Sequence, residues 1–484
     1  MTHLGWLGIV RLGLVQAALG AIVVLTTSTL NRIMVVELGL AALVPGLLVG
    51  VHHAVQATRP RMGWGSDVGG RRTPWIVGGM AVLALGGLVA AMAVAAMAEH
   101  PQAGLVAAAA GFVLIGLGVS ACGTSLLVLL AKRVDPARRA GAATCVWMMM
   151  IAGFAITAGT AGALLDPYSP ARLVAVTAGV GALALAVTLL AVRGLEPARG
   201  EVHGLRRAGA PVASASAGAA PPSSAATSVA AATPVRFAEA LREVWAEPTA
   251  RRFTVFVALS MLAYSAQDLI LEPFAGTVHG FTPGESTRLA GLQHGGVLLG
   301  MLMVAGAGAL ARRPGWSALG SLRGWTLGGC LASALALAAL AAAGAAPQAW
   351  PLRETVFLLG VANGAFSIGA IGSMMQLASQ GRESREGLRM GLWGAAQGIA
   401  FGFGGLAGTA ASDLARWWLG APGPAYACVF AAEAGLFLAS AWLASRIAVP
   451  QRAPATAAAA ATAVAATASS PSTSTPTPSP SYSR

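Results

Sequence analysis

Gly63-Trp64-Gly65-Ser66-Asp67-Val68-Gly69-Gly70-Arg71-Arg72 is a polar turn held between two long apolar runs, residues 41–57 and 74–98. Its glycines permit a tight reversal, Asp67 is placed to accept backbone N–H bonds near a helix start, and Arg71 and Arg72 supply positive charge beside a membrane surface. A turn of this kind between apolar runs predicts two membrane-crossing helices joined by a short loop on the side that carries the basic residues.

Outward from that turn the pattern repeats. The 484 residues are 56% hydrophobic and 10% charged, with a mean hydropathy of +0.69; soluble domains carry about 25% charged residues. A bilayer core about 30 Å thick needs roughly 20 apolar residues per helix. Runs of that kind occupy residues 12–34, 41–57, 74–98, 104–130, 140–165 and 171–192, then 253–275, 289–311, 322–345, 355–379, 388–411 and 425–447. The expected fold is an all-α membrane protein of twelve transmembrane helices, arranged as two related six-helix halves. The first run is too long for the apolar segment of a cleavable signal, so it is expected to remain as a helix.

Domain boundaries follow from composition: a first half over residues 1–195, a flexible linker over 196–250, a second half over 251–449 and a disordered tail over 450–484. Most of the linker and the tail are rich in Ala, Ser, Thr and Pro, which cannot bury a core. The net charge of +13 does not point to nucleic acid. Most of the Lys and Arg fall in alternate loops: Arg59, Arg61, Arg71 and Arg72, then Lys132, Arg133, Arg138 and Arg139, then the linker, then Arg312, Arg313, Arg323, Arg382, Arg385 and Arg389. Arg32, Arg172, Arg288, Arg353 and Arg416 are left for the other side, so both termini and the linker are expected in the cytoplasm. Cys122, Cys145, Cys330 and Cys428 lie in apolar runs without metal-ligand spacing, and no resident metal is expected.

An internal repeat supports duplication. Arg139, Gly141, Trp147, Gly159 and Gly162 align without gaps on Arg385, Gly387, Trp393, Gly405 and Gly408. A looser match sets Arg32-Ile33-Met34-Val35-Val36-Glu37 against Gln267-Asp268-Leu269-Ile270-Leu271-Glu272, near the ends of the first and seventh runs.

The turn at Gly63–Arg72 resembles the signature loop of the major facilitator superfamily, with Val68 where that family usually has a basic residue. Gating or structural support, not substrate recognition, is what the resemblance implies for Asp67, Arg71 and Arg72. Three further stretches are similar to a narrower group: Leu30-Asn31-Arg32-Ile33-Met34-Val35-Val36-Glu37-Leu38, Gln267-Asp268-Leu269-Ile270-Leu271-Glu272-Pro273-Phe274 and Arg389-Met390-Gly391-Leu392-Trp393-Gly394-Ala395-Ala396-Gln397. They resemble the bacteriochlorophyll-delivery group of that superfamily, the light-harvesting assembly proteins of purple bacteria. His52-His53-Ala54-Val55-Gln56-Ala57-Thr58-Arg59-Pro60-Arg61 departs from the second-helix sequence of the light-harvesting 2 branch, which leaves branch and client antenna open. The resemblance implies a protein of the inner, intracytoplasmic photosynthetic membrane that binds or delivers bacteriochlorophyll, or a precursor, as cargo. Its implied partners are antenna polypeptides, membrane lipid and the terminal enzyme of bacteriochlorophyll synthesis.

Ionisable groups in membrane helices are costly and mark candidate sites. Arg32 is placed to pair with Asp268 or Glu272 across the interface of the two halves, with Glu37 and Gln267 beside them; the plainer alternative makes these residues helix-end anchors. Glu433 stands mid-run in the last helix, where it is costly unless protonated, paired or shielded. A chlorin magnesium takes an axial ligand, and the candidate donors are His52, His53 and His294, in the second and eighth runs; hydrogen bonding within the bundle is the competing role for each. His3, His100, His203 and His279 read as loop residues. Gly402, Gly404, Gly405 and Gly408 leave room for close helix packing or for a flat ligand. No phosphate loop, His-Glu-x-x-His or nucleophile elbow is present in the sequence, so no enzymatic activity is expected. A secondary transporter of a small amphipathic solute is the alternative, and a scaffold without pigment is a third class.

Overall fold

The structure, a computed structural model, describes residues 4–59, 71–135, 138–196, 237–311, 313–347, 350–378 and 386–447. Among these residues every regular element is helical. Residues 63–70 of the signature turn, with Asp67, and His3 and His203 lie outside the described residues.

Twelve rods follow one another: α1 Trp6–Glu37, α2 Leu43–Val55, α3 Thr73–Ala96, α4 Pro101–Arg133, α5 Arg139–Leu165, α6 Pro170–Val192, α7 Pro248–His279, α8 Pro283–Leu310, α9 Leu322–Ala345, α10 Leu352–Ala378, α11 Glu386–Leu419 and α12 Pro422–Ser445. An amphipathic helix, Phe237–Ala246, leads into α7. Ten of the rods are long and apolar enough to cross a membrane, where twelve crossings are expected from the sequence. The two others are α2, whose α-helix is only 13 residues long, and α11, whose 34 residues are diluted by glycines, Asp413 and Arg416.

The helix starts are written in the chain. Proline opens α4, α6, α7, α8 and α12, where its fixed φ suits the first turn and its missing N–H leaves no intrahelical bond unmade. Ser169 and Ser321 cap α6 and α9, and Thr282 with Glu285 forms a reciprocal capping box on α8. Gly280 ends α7 with φ +69°, a conformation that favours glycine. In α1 two π-helical turns, Leu25–Thr29 and Ile33–Glu37, frame Leu30–Arg32 and keep Thr26, Thr29, Asn31 and Arg32 buried.

Packing repeats with a step of six helices. α3 packs on α4 and α6 as α9 packs on α10 and α12; α1 packs on α5 and α6 as α7 packs on α11 and α12; α2 packs on α4 as α8 packs on α10. The two sets meet along α5–α8 and α2–α11, which the same step interchanges. Close approach depends on glycine at the α8–α10 contact: a Cβ at Gly300 or Gly364 would press into the backbone of Val361 or Val297. Outward faces carry exposed Leu7, Val106, Leu335 and Leu438, as a lipid-facing surface requires, and Trp417 and Trp418 form an exposed aromatic pair at the end of α11. The chain is a multi-pass membrane protein.

Candidate functional site

Three groups of polar residues stand out inside this apolar bundle. The first joins the two sets of helices at the end where α1 finishes and α2 begins. Arg32, 2% exposed, donates to the Glu37 carboxylate and to the Phe281 carbonyl just beyond α7, with its guanidinium lying over Gly276. The expected pairing of Arg32 with Asp268 or Glu272 is therefore corrected: its ion pair is with Glu37, and Glu272 lies within electrostatic reach without a hydrogen bond to it. The π-turn over Ile33–Glu37 brings a residue five positions on to Nη1 of the guanidinium, and a backbone carbonyl accepts from Nη2. Neither Arg32 nor Glu272 is a solvated helix-end anchor, for each is 2% exposed. Asn31 donates to the Leu269 carbonyl at 2.6 Å, and the hydroxyls of Thr29 and Thr287 meet at 3.1 Å.

Two aspartates that the sequence reading passed over complete this end. Asp166, just after α5, accepts from the Thr282 hydroxyl at 2.9 Å, the Gly284 N–H at 3.2 Å and Arg288 at 2.8 Å, at the start of α8. Asp413, near the end of α11, accepts from the N–H groups of Ala42 and Leu43 at 3.0 and 2.7 Å, at the start of α2. Each places a carboxylate at a helix N-terminus across the interface of the two sets, where orphan N–H groups and the helix dipole favour negative charge. The signal was present: with a shift of one residue, the repeat that aligns α5 with α11 sets Asp166 against Asp413.

The second group holds the histidines. His52, 2% exposed, and half-buried His53 stand near the end of α2 with ring centroids 4.9 Å apart. The Gln56 amide lies 2.9 Å from His52 Nε2 and 3.4 Å from His53 Nδ1, so one side chain engages both rings. His53 faces α11, where its ring lies 6.4 Å from Phe401. His294 occupies the corresponding place on α8, half-buried, with its ring 5.0 Å from Phe154 of α5 in an edge-on contact. Phe154 and Phe401 are related by the same shifted repeat as the two aspartates. His294 Nδ1 lies 2.8 Å from the Ala290 carbonyl, which can only accept. In the neutral ring the proton therefore sits on Nδ1 and the lone pair on Nε2. Next to it in the chain, a Cβ at Gly295 would meet nothing within 4 Å, and Gly159 of α5 abuts Gly291, one turn earlier on α8.

The third group is acidic. Gln267, Asp268 and Glu272 lie on α7 and Glu433 on α12. Asp268 and Glu272 share a helix face by spacing but serve different neighbours: Glu272 has Ser28 and Arg32 of α1 close by, whereas Asp268 lies within electrostatic reach of Tyr264 and Glu433. Glu433 and Glu272 are each 2% exposed and Gln267 is fully buried, yet none of their side-chain oxygens or nitrogens meets a partner in hydrogen-bond geometry.

The remaining expectations fall as follows. Arg71 is half-buried just before α3, and the backbone N–H of Arg72 donates to Glu196 at 2.9 Å, which ties the end of α6 to α3. His279 is the last residue of α7, edge-on to Phe274 at 5.0 Å, rather than a loop residue; His100 caps α4. Gly404, Gly405 and Gly408 abut Leu262, Leu269 and Ala266 of α7, so they serve packing, and Gly402 lies beside His53. Trp147 and Trp393, paired by the repeat, differ in setting: the first is 41% exposed and the second 1%. A separate groove of about 710 Å³ between α9 and α10 is lined chiefly by apolar side chains such as Trp325, Leu335 and Leu358.

Solved structures share this architecture. A bacterial homologue of the human lysosomal transporter Spinster, inward-facing and occupied, superposes with a TM-score of 0.61 over 92% of this chain and 98% of its own, at 17% identity. The nucleoside transporter NupG gives 0.58 over 91% and 98% at 12% identity. The fold is thus of the major-facilitator type. Among curated proteins, the bacteriochlorophyll synthase 44.5 kDa chain of Rhodobacter capsulatus is 51% identical over 93% of this chain and 97% of its own length. Protein PucC of Cereibacter sphaeroides is 29% identical over 89% and 90%. Residues 29–452, which take in all three polar groups, match the PUCC protein family, and the chain belongs to it.

Proposed function

We propose that this protein is an assembly factor of the photosynthetic membrane that holds bacteriochlorophyll, or a close precursor, at the α5–α8 interface and hands it to light-harvesting polypeptides. The observation that carries this reading is His294. Its Nδ1–H is committed to the Ala290 carbonyl, its Nε2 keeps a lone pair, an aromatic edge stands 5.0 Å away, and at the adjoining Gly295 a Cβ would meet nothing within 4 Å. A magnesium chlorin needs one such axial nitrogen and an apolar slot for a flat ring. The backbone-bonded Nδ1 is the outer partner that fixes the tautomer of a ligating histidine. His52 and His53 fit less well, since the acceptor nitrogens of both face the Gln56 amide.

The 51% identity to a chain named for bacteriochlorophyll synthase supports the choice of pigment and a place beside the enzymes that make it. With no catalytic constellation in its sequence, the chain acts as carrier rather than catalyst. Its place is the intracytoplasmic inner membrane, with both termini and the central linker in the cytoplasm, where the basic loops lie.

The test is pigment extraction and absorption spectroscopy on the full chain purified from a photosynthetic host, with His294→Ala compared against the His52→Ala/His53→Ala double variant. Near-stoichiometric bacteriochlorophyll in the wild type and the double variant, lost in His294→Ala, is expected. Pigment retained in every variant removes the histidine from the proposal. A colourless wild type overturns pigment holding and favours transport of a small amphipathic solute, in keeping with the fold.

A further inference from the structure

The core of the second set of helices contains an electrostatic imbalance. Arg32 faces Glu37 and Glu272, while Asp268 and Glu433 have no ion-pair partner among the described residues. Three carboxylates of the membrane helices, Asp268, Glu272 and Glu433, are thus set against one guanidinium that the exposed Glu37 already pairs. A charged carboxylate at the centre of a membrane helix costs a few kcal/mol, and two in electrostatic reach of one another raise that cost.

The geometry around Glu433 shows where the imbalance concentrates. Phe274 of α7 packs on Tyr426 and Phe430 of α12 with ring centroids 5.6 and 5.0 Å apart. Gln267 precedes Phe274 by seven residues and so lies on the same face of α7, turned toward α12; Glu433 follows Phe430 by three and so lies on the face of α12 turned toward α7. Phe437, one turn further, packs on Phe366 of α10 and seals the far side. Helical spacing thus puts Gln267 and Glu433 on facing sides of α7 and α12, both with unpartnered polar atoms among the described residues, and Asp268 lies within electrostatic reach of Glu433.

We infer that Glu433 and Asp268, with Gln267 beside them, form a proton-binding site within the membrane that holds at least one proton in the resting protein. A bound proton turns a carboxylate into a neutral acid that the Gln267 amide can both accept from and donate to. A metal cation fits poorly, because no group of three or more His, Cys, Asp or Glu among the described residues is disposed to hold one.

Charged and titratable groups lie on four helices packed against α12; on α10 they are Arg353 and Glu354 in its first turn, and Glu386 opens α11. On α7 they are Tyr264, Asp268 and Glu272, with Arg251, Arg252 and His279 at its ends. On α9 they are Arg323 at the start and buried Cys330. On α11 Asp413 and Arg416 lie near Tyr426, at the joined end of the bundle, and Arg389 lies near the opposite end. Among the described side chains no cation is ion-paired to Glu433.

The experiment is infrared difference spectroscopy of the full chain in lipid nanodiscs, following the C=O stretch of protonated carboxylic acids and its downshift in D2O. A band that persists at neutral pH, is unmoved by sodium and is lost in Glu433→Gln or Asp268→Asn is expected. Specific 13C labelling of glutamate and aspartate side chains in the unmutated protein must shift that band, which keeps the test decisive if a variant fails to fold. Absence of a protonated band at neutral pH, or its displacement by sodium, overturns the proposal; the pigment measurement on His294 is independent of either result.

Discussion

Replacing Asp413 with alanine should unfasten the start of α2. Its carboxylate accepts from the N–H groups of Ala42 and Leu43 at 3.0 and 2.7 Å, across the α2–α11 interface. The side chain is half-buried, so each charge-assisted bond is discounted for solvent screening from its usual range of about 1.5–3 kcal/mol to about 1 kcal/mol net. Together they contribute about 2 kcal/mol, in line with the loss of an Asp N-cap. At about 1.4 kcal/mol per tenfold, local opening should become roughly 30-fold more frequent. Hydrogen exchange of the purified protein reads this directly: Ala42 and Leu43 should exchange roughly 30-fold faster in Asp413→Ala. Asp413→Asn, which keeps an acceptor but not the charge, should fall between the two. The internal control is Asp166→Ala, which should deprotect Gly284 and leave Ala42 unchanged. Exchange at Ala42 and Leu43 that stays within a factor of about two of the parent would refute the cap.

Gly364→Ala should lower thermal stability, since its methyl would drive into the Val297 carbonyl and overpacking costs about 1–3 kcal/mol; a thermal-shift assay reads it, against Gly308→Ala, where the added methyl meets nothing within 4 Å. Tyr168, in the loop between α5 and α6, has its phenol held above the ordinary tyrosine value by burial and by the Glu37 charge, with Arg32 opposing. Its ionisation therefore comes at higher pH in the folded than in the unfolded chain, so its stabilising contribution fades as pH rises through the alkaline range. Glu37→Gln should move its ultraviolet titration back toward the ordinary value. Thr282→Ala should remove both the capping box of α8 and one bond to Asp166, costing about 1 kcal/mol, and a matching loss of protection at Glu285 checks it.

Much of the bundle is legible in the chain because the bilayer dictates it: an apolar run of about 20 residues has few structures open to it other than a helix. Proline and the caps Ser169, Ser321 and Thr282 mark where several helices begin. Glu433 is legible too, as a lone charge in an apolar run. The partners of Arg32 are not. Glu37 lies five residues away, off the helix face in an α-helix, and only the π-turn brings it round; a backbone carbonyl, as at Phe281, has no sequence signature. The three histidines look equivalent as letters. What separates them is which nitrogen each commits, and that depends on Gln56 in one case and on the Ala290 carbonyl in the other. Asp166 and Asp413 were overlooked because each sits by the end of its helix, where a carboxylate is ordinary until the next helix start is placed beside it.

The two halves of the repeat have kept different things, and the difference bears on mechanism. Both interfaces between the helix sets retain an aspartate at a helix start and a histidine against a phenylalanine: Asp166 and His294–Phe154 on α5–α8, Asp413 and His53–Phe401 on α2–α11. That symmetry fits a bundle whose two interfaces are fastened in the same way at one end. The buried carboxylates break it, for Asp268, Glu272 and Glu433 all belong to α7 and α12. The two interfaces are thus fastened alike, whereas the acidic core belongs to one set alone. If Glu433 carries a proton when the Asp166 and Asp413 caps are made, then Glu433→Gln, fixed as a neutral side chain, should leave the protection factors of Ala42 and Gly284, corrected for the intrinsic exchange rate, unchanged at neutral pH and abolish any pH dependence those factors show in the parent. A pH dependence that survives in Glu433→Gln would separate the acidic core from the movement of the two sets.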